Sequence, residues 1–275
     1  MRDKDRDRDK LLEIRDVKKY YPVTTGLLSK HAGDITAVEG VSLYVREGET
    51  LGLVGESGCG KTTLGKVILR LEEPTSGQVL FRGEDIRSFQ GATLRQYRKE
   101  VQMVFQDPQA SLDPRMTVGE CIGEALLIHG VRDDEERLEK VKELLEKVGL
   151  EAEYASRYPH EFSGGQKQRI GIARALALSP KLLVADEPVS ALDVSIQAQI
   201  LNLFADMQKE YGLAYLFIAH NLGVIRHISD RVAIMRNGRI IETAPTQEIF
   251  ENPKHPYTKT LLSAIPVPNP HVRRA

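Results

Sequence analysis

A glycine-rich segment in the first quarter of the chain carries residue types that bind phosphate. It runs Gly55-Glu56-Ser57-Gly58-Cys59-Gly60-Lys61-Thr62-Thr63 and fits the pattern G-x-x-x-x-G-K-[ST]. Its glycines let the backbone curl so that several N–H groups point at phosphate oxygens, and the following helix adds its positive N-terminus. Lys61 should reach the β- and γ-phosphates of a nucleotide, and the Thr62 hydroxyl should ligate Mg²⁺. The alternative is a plain turn between a strand and a helix, but the apolar run Leu51–Val54 just upstream favours a nucleotide site.

Two adjacent carboxylates, Asp186 and Glu187, follow a second apolar run at Leu182–Ala185. A buried strand that ends in acids delivers them to the edge where ligands of parallel α/β sheets bind. We expect Asp186 to hold Mg²⁺ through water and Glu187 to polarise an attacking water as a general base. A strand followed by an acidic turn is common, so the phosphate loop upstream is what favours the functional interpretation.

A third segment, Ser163-Gly164-Gly165-Gln166, precedes an apolar helix predicted over Ile170–Leu178. We call it the SGGQ segment. Ser163 is a good N-cap, and the two glycines expose backbone N–H groups beside a helix dipole. The segment is therefore a candidate second anion site, with a plain helix cap as the alternative.

The order of these pieces resembles that of the ABC ATPase family over nearly the whole chain. The matching elements are the phosphate loop, Gln106 within Val104-Phe105-Gln106-Asp107-Pro108, the SGGQ segment, Asp186-Glu187, Ser190-Ala191-Leu192-Asp193, and His220 at the end of a predicted strand. The resemblance implies that the chain binds and hydrolyses Mg-ATP. It also implies that two subunits close head to tail, with each ATP between the phosphate loop of one subunit and the SGGQ segment of the other.

The resemblance further implies roles for three polar residues. Gln106 would contact Mg²⁺ and the attacking water, and would couple the site to membrane subunits. Asp193 would lie at the dimer seam and help to enclose the nucleotide. His220 would hydrogen-bond the γ-phosphate, the alternative being a strand-end histidine with no role.

Adenine and metal contacts follow from the same resemblance. An aromatic residue upstream would stack on adenine, and Tyr21 fits best, with Tyr20 as the alternative one residue away. The implied metal ligands are Thr62, Gln106 and Asp186.

A finer resemblance points to the ATPase subunits of bacterial dipeptide and oligopeptide importers. It rests on four stretches: Leu11–Ile14, Val23–Ile35, Ala191–Gln199 and Asn252–Lys259. It implies a second, related ATPase subunit or a second copy of this chain, two transmembrane permease subunits and an extracytoplasmic solute-binding protein. Because one ATPase type in that family often carries a cysteine-rich iron–sulfur motif near its C-terminus, and no cysteine follows Cys121, this chain resembles the cluster-free partner.

Other functions remain as alternatives. Nickel and sugar importers share these motifs. A non-transport ABC ATPase would usually show a long coiled coil, zinc-binding cysteines or two cassettes, and an exporter would usually carry fused membrane helices. A P-loop kinase would leave the SGGQ segment unexplained.

The elements that must position these residues predict an α/β fold. We expect a P-loop NTPase (RecA-like) core with an antiparallel β subdomain and an inserted helical subdomain. The expected boundaries are a disordered lead-in over 1–10, the core over 11–106 and 180–245, the helical subdomain over 107–179 and a C-terminal extension over 246–275. Helices are predicted at Lys61–Leu71, Asp133–Gly149 and Ser195–Tyr211, with no strand between Thr117 and Ser179. Strands are predicted at Leu11–Val17, Val41–Val45, Glu49–Val54, Val79–Arg82, Val101–Phe105, Lys181–Asp186, Leu213–Ala219, Val232–Arg236 and Arg239–Glu242.

Composition agrees with a globular ATPase that works beside a membrane. The 275 residues carry a formal net charge of -1, so nothing draws the chain to nucleic acid. No apolar run approaches the ~20 residues that span a bilayer, which predicts a cytoplasmic protein held at the inner membrane face by partners.

Two cysteines without a C-x-x-C pair argue against a disulfide framework or zinc. Cys59 lies next to a helix N-terminus, which predicts a lowered thiol pKa, with a shielded thiol as the alternative.

Overall fold

The computed structural model describes residues 10–25, 30–107 and 111–263 of the chain, and its strands form two sheets. In chain order the strands are β1 (Lys10–Thr25), β2 (Lys30–Arg46), β3 (Thr50–Val54), β4 (Ser76–Phe81), β5 (Glu84–Asp85), β6 (Val101–Val104), β7 (Leu182–Asp186), β8 (Ala214–Ala219), β9 (Arg231–Arg236) and β10 (Arg239–Pro245). The helices are α1 (Lys61–Ile68), α2 (Gly91–Glu100), α3 (Val118–Ile128), α4 (Asp134–Lys147), α5 (Gly164–Leu176), α6 (Val194–Tyr211), α7 (Leu222–Ile228), α8 (Thr246–Glu251) and α9 (Pro256–Ser263).

One sheet is antiparallel and the other is mostly parallel. The four-stranded sheet has the order β2-β1-β4-β5, and its pairs are antiparallel. The six-stranded sheet has the order β10-β9-β3-β8-β7-β6, in which all neighbours are parallel except the edge strand β10. The predicted α/β architecture with an antiparallel sheet is confirmed. In the parallel sheet the carboxyl ends of β3, β6, β7 and β8 share one edge, which is where such folds bind ligands.

The parallel strands are buried on both faces because they separate two hydrophobic cores. In β8, Leu216 and Ile218 point into a core shared with β1, β2 and α1, whereas Tyr215 and Phe217 point into a core shared with α3, α4, α5 and α6. Side chains of a strand alternate between faces, so each face supplies one of these cores. Burial on both sides explains why these strands read as continuous apolar runs.

The middle of the chain is helical, as predicted. Over 117–179 the described residues form α3, α4 and α5 with two short 3₁₀ turns at Ala152–Ser156 and Pro159–Glu161, and no strand. The Asp133 side chain caps α4 by accepting the backbone N–H of Glu136 at 2.8 Å. The helix stops before Gly149, whose φ of +74° suits a residue without a Cβ.

Several elements differ from the sequence-based expectations. The helix expected over 61–71 ends at Ile68, because Arg70 takes a left-handed φ of +52°. The whole of α2 was missed, since it buries only Tyr97 and so shows no apolar stripe. Two helices, α8 and α9, lie in the expected C-terminal extension over 246–275, where no helix was predicted.

Some expectations fall on residues that the structure does not describe. The lead-in lies outside the described residues except for Lys10, which begins β1, and so do 264–275 at the end of the tail. The same holds for 26–29, within the expected stretch Val23–Ile35, and for Pro108. Over 10–25, 30–107 and 111–263, no helix has the length and apolarity needed to cross a membrane.

Candidate nucleotide site

The phosphate loop is the connection between β3 and α1. Glu56, Ser57 and Gly58 form its exposed turn, while Cys59 is buried beneath. Gly60 has a φ of +107°, and a Cβ there would come within 2.0 Å of the Ala37 carbonyl oxygen. Only glycine fits at this position, so the loop takes this shape because of its sequence.

Lys61 is buried at the start of α1, and one of its three donors reaches only a weak acceptor. Its Nζ donates to the carbonyl oxygens of Gly55 (2.8 Å) and Glu56 (2.9 Å). The Cys59 sulfur, 3.9 Å away, is its third neighbour and a weak acceptor. An ammonium group has three donors, so an anion that enters the loop can take the third.

A hydroxyl and a carboxylate meet below the loop. Thr62 Oγ1 donates to Oδ1 of Asp186, the last residue of β7, at 3.2 Å. Asp186 is buried, and this burial raises the pKa of its carboxyl group, while the hydrogen bond from Thr62 opposes the shift. Two hard oxygen donors so close together are the type of ligand that Mg²⁺ prefers.

Glu187, the residue after Asp186, lies together with the predicted catalytic residues Gln106 and His220. Glu187 Oε2 lies 2.9 Å from His220 Nδ1 and accepts a hydrogen bond from Gln106 Nε2 at 3.3 Å. The backbone of Glu187 has a φ of +46°, a conformation that costs an L-residue about 1–2 kcal/mol. It is held there because its N–H donates to the Ile218 carbonyl at 2.9 Å. The carboxylate is largely enclosed, with 13% of the side chain exposed, against 55% for His220.

The SGGQ segment begins α5 with a capping box. Ser163 Oγ accepts the N–H of Gln166 at 3.3 Å, and Gln166 Oε1 accepts the N–H of Ser163 at 2.9 Å. A Cβ on Gly165 would come within 2.7 Å of Ile196 in α6, so this glycine lets α5 and α6 approach each other. Ser163 and Gly164 are exposed at this helix N-terminus. In the described part of the chain, no hydrogen bond joins the segment to the phosphate loop. Asp193, exposed at the start of α6, makes no capping hydrogen bond.

The two candidate tyrosines lie on opposite sides of β1. The Tyr21 hydroxyl hydrogen-bonds to Glu72 and neighbours Thr63, in the first turn of α1. The Tyr20 hydroxyl instead donates to Glu39 at 2.8 Å. Of the two, Tyr21 is therefore on the side of the phosphate loop.

The prediction that Cys59 has a lowered pKa is wrong. Its thiol is 7% exposed, and burial raises the pKa, an effect that the neighbouring Lys61 opposes only in part. The sequence places Cys59 near a helix N-terminus but does not reveal how deeply it is buried. The shielded-thiol alternative agrees with the structure.

Sequence reasoning also missed two residues around the site. Glu72, which accepts from Tyr21, follows α1 in a stretch with no motif. Tyr257, in α9, lies beside Glu56 of the phosphate loop. An aromatic residue in a proline-rich stretch carries no local signal of such a contact.

Comparisons with known proteins agree with this geometry. Residues 38–190 match the family described as "ABC transporter", and residues 241–275 match "Oligopeptide/dipeptide transporter, C-terminal region". The chain is 57% identical to the oligopeptide transport ATP-binding protein AppF of Bacillus subtilis (strain 168), over 94% of this chain and 78% of that protein. It is 52% identical to the dipeptide transport ATP-binding protein DppF of Haemophilus influenzae, over 96% of this chain and 80% of that protein.

A solved structure extends the likeness to three dimensions. The dimeric post-hydrolysis state of the ATP-binding cassette MJ0796, bound to ADP and Pi, superposes with a TM-score of 0.75 at 30% identity. The match covers 86% of this chain and 98% of that one. The family match over more than half of the sequence and the shared architecture show that this chain belongs to the ABC transporter family and is an ATPase with the ATP-binding cassette fold.

Proposed function

We propose that this ATPase powers the uptake of dipeptides or oligopeptides by an ABC importer. The observation that carries the substrate class is the match of residues 241–275 to the C-terminal region of oligopeptide and dipeptide transporters. The names of the relatives AppF and DppF support it. In this proposal the chain works in the cytoplasm, at the inner face of the cell membrane.

The phosphate loop, residues 55–63, would hold the triphosphate. Lys61, already oriented by two loop carbonyls, would give its third donor to the β- and γ-phosphates. Thr62 and Asp186, whose oxygens lie 3.2 Å apart, would bind Mg²⁺ together with Gln106. Hydroxyl and carboxylate oxygens are the donors that Mg²⁺ prefers, with Asp186 expected to hold the ion through water. When bound, the ion would neutralise charge on the phosphates.

Glu187 would act as the general base for the attacking water. Its carboxylate is enclosed, close to the metal-binding Asp186, and oriented by Gln106 and His220. Proton acceptance by a positioned carboxylate contributes about 10²–10⁴ in rate. His220 has one ring nitrogen on Glu187, so its other nitrogen remains for the γ-phosphate.

The SGGQ segment, with Asp193, would complete the ATP site of a second subunit. In the described part of the chain it makes no hydrogen bond to its own phosphate loop, and its helix N-terminus is open to an anion. The second subunit would be a related ATPase chain or another copy of this one. Two permease subunits and an extracytoplasmic solute-binding protein would complete the importer.

The same proposal divides the chain into working parts. Residues 11–106 and 180–245 would form the nucleotide-binding core, 107–179 the helical subdomain that carries the SGGQ segment, and 246–275 an extension.

Tyr21 would stack on adenine, because its hydroxyl lies beside Thr63 of α1, whereas the Tyr20 hydroxyl bonds to Glu39.

Photolabelling of the assembled complex tests the exchange of sites between subunits. With an azido-ATP analogue, Lys61→Ala should reduce labelling of this chain, since it removes a phosphate contact of its own loop. Ser163→Arg should leave that labelling intact and reduce hydrolysis at the partner's site. If Ser163→Arg impairs a demonstrably monomeric chain as much as the complex, the segment acts within its own subunit and the head-to-tail arrangement is wrong.

The substrate class is tested by reconstitution. The ATPase, permease subunits and solute-binding protein that co-purify from membranes are placed in liposomes, and ATP hydrolysis is measured with candidate solutes outside. Stimulation by di- or oligopeptides supports the proposal. Stimulation only by a nickel complex or a sugar would replace the peptide assignment while retaining the transport ATPase.

A further inference from the structure

The chain after β10 is anchored firmly near the phosphate loop. Glu242, in β10, accepts hydrogen bonds from the backbone N–H groups of Lys254 (2.8 Å) and His255 (3.0 Å) and from the Thr258 hydroxyl. His255 Nδ1 accepts the N–H of Tyr257 at 3.1 Å and so pairs one of the open N–H groups in the first turn of α9. These bonds fix the direction in which the first turn of α9 presents its side chains.

The anchor places the Tyr257 side chain against the phosphate loop. The ring is 6% exposed, and the Arg236 guanidinium lies over it at 4.5 Å. Its hydroxyl is enclosed and completes no hydrogen bond of ordinary geometry within the described residues, and the polar group beside it is Glu56. Burial and then the Glu56 carboxylate raise the pKa of Tyr257, an effect that the Glu56 backbone opposes in part, so the phenol keeps its proton at neutral pH.

An enclosed hydroxyl is stable only if it finds a partner, and Glu56 is the group within reach. Glu56 is also one of the residues that orient Lys61, because its carbonyl oxygen accepts from Lys61 Nζ at 2.9 Å. A contact that fixes Glu56 therefore fixes an acceptor of the ammonium group that faces the phosphates.

We propose that Tyr257 is a positioning residue of the nucleotide site: its hydroxyl bonds to Glu56, and Glu56 in turn holds Lys61 ready for the phosphates of ATP. The anchored segment at 254–258 thereby belongs to the ATP site although it lies outside the loop. This inference rests on the proposed role of Lys61. It gives a function to part of the C-terminal extension over 246–275.

The test compares the loss of this hydroxyl with the loss of another buried one. Tyr215 is the matched control, because its hydroxyl is also buried and donates to the Phe204 carbonyl at 3.0 Å, within a different contact. The Kd of the complex for a fluorescent ATP analogue is measured for the wild type, Tyr257→Phe and Tyr215→Phe. We expect Tyr257→Phe to raise Kd about tenfold, or about 1.4 kcal/mol, with kcat at saturating ATP unchanged. Tyr215→Phe should stay within twofold of the wild type.

A double-mutant cycle separates positioning from a general loss of stability. If Tyr257 acts through Glu56, the effects of Tyr257→Phe and Glu56→Ala on Kd do not add. Glu242→Ala, which releases the anchor, should reproduce the rise in Kd and keeps the inference testable if Tyr257→Phe unfolds.

Two results would overturn the inference while leaving ATP binding in place. They are an unchanged Kd for Tyr257→Phe and full additivity in the cycle. A wild-type complex that binds no ATP analogue would overturn the proposed function instead, so the two failures are distinguishable.

Discussion

Replacing Glu187 by glutamine should remove the catalytic base while preserving the site. The Oε2 atom of Glu187 is the point where His220 Nδ1 (2.9 Å) and Gln106 Nε2 (3.3 Å) meet. An amide oxygen at the same position accepts both hydrogen bonds but takes up no proton. The left-handed backbone is held through the N–H bond to the Ile218 carbonyl, which is independent of the side chain. The substitution therefore changes chemistry more than structure.

The magnitude follows from what is lost. A positioned general base contributes at least ~10² in rate, which is about 2.7 kcal/mol of activation free energy. The contacts of Lys61, Thr62 and Asp186 are untouched, so ATP binding should remain close to that of the wild type. Because the variant would bind ATP without hydrolysing it, the variant should accumulate as the nucleotide-bound, closed dimer.

The assay is single-turnover hydrolysis by the assembled complex, with nucleotide occupancy and dimer content measured in parallel. Glu136→Gln serves as the matched control, since it removes an exposed carboxylate in α4 that pairs with Lys140. The control should behave as the wild type. Turnover of Glu187→Gln within twofold of the wild type would refute the base assignment, and a joint loss of binding and turnover would show that the side chain instead builds the site.

Three further predictions concern the buried groups of the site and the helix packing. Burial raises the folded-state pKa of Asp186, so its charge lowers the stability of the fold above that pKa, and this cost is lost as the pH falls through it. Asp186→Asn should therefore raise the unfolding temperature at pH 7 without nucleotide while abolishing Mg-dependent hydrolysis. An unchanged or lower unfolding temperature would contradict this. A bulky thiol reagent should modify Cys59 in the native protein far more slowly than in denaturant, as followed by mass spectrometry, because burial both covers the thiol and raises its pKa; equal rates would show that the loop opens. Gly165→Ala should destabilise the fold by about 1–3 kcal/mol in urea titrations, since its Cβ would lie 2.7 Å from Ile196; Gly164→Ala, whose Cβ finds ordinary contact distances, should have little effect.

The convergence of the catalytic residues could be predicted from the order of strands and motifs. Gln106 follows β6, Glu187 follows β7 and His220 follows β8, and these three strands are neighbours. Parallel strands place their carboxyl ends at one edge, so residues 81 and 33 positions from Glu187 come within hydrogen-bonding distance of it. The apolar runs that mark the strands are visible because both faces are buried.

What the sequence could not reveal depends on packing between distant segments. The burial of Cys59 depends on its surroundings in the fold rather than on the helix that follows it. The helix α2 shows no apolar stripe, because Tyr97 is its only buried residue and only the partly buried Leu94 joins it against the core. The approach of Tyr257 to Glu56 joins positions about 200 residues apart, and no local pattern encodes it.

The position of β3 within its sheet has a consequence for how the protein is made. Both neighbours of β3, the strands β8 and β9, lie more than 150 residues downstream, since β3 ends at Val54 and β8 begins at Ala214. At about 5–20 residues per second of synthesis, the apolar β3 waits roughly 10–30 s on the ribosome before its partners emerge. During that interval the antiparallel sheet can already close, because β1, β2 and β4 are contributed by the first 81 residues. This early sheet offers a surface that can shelter Leu51 and Leu53 on one face until the parallel sheet forms.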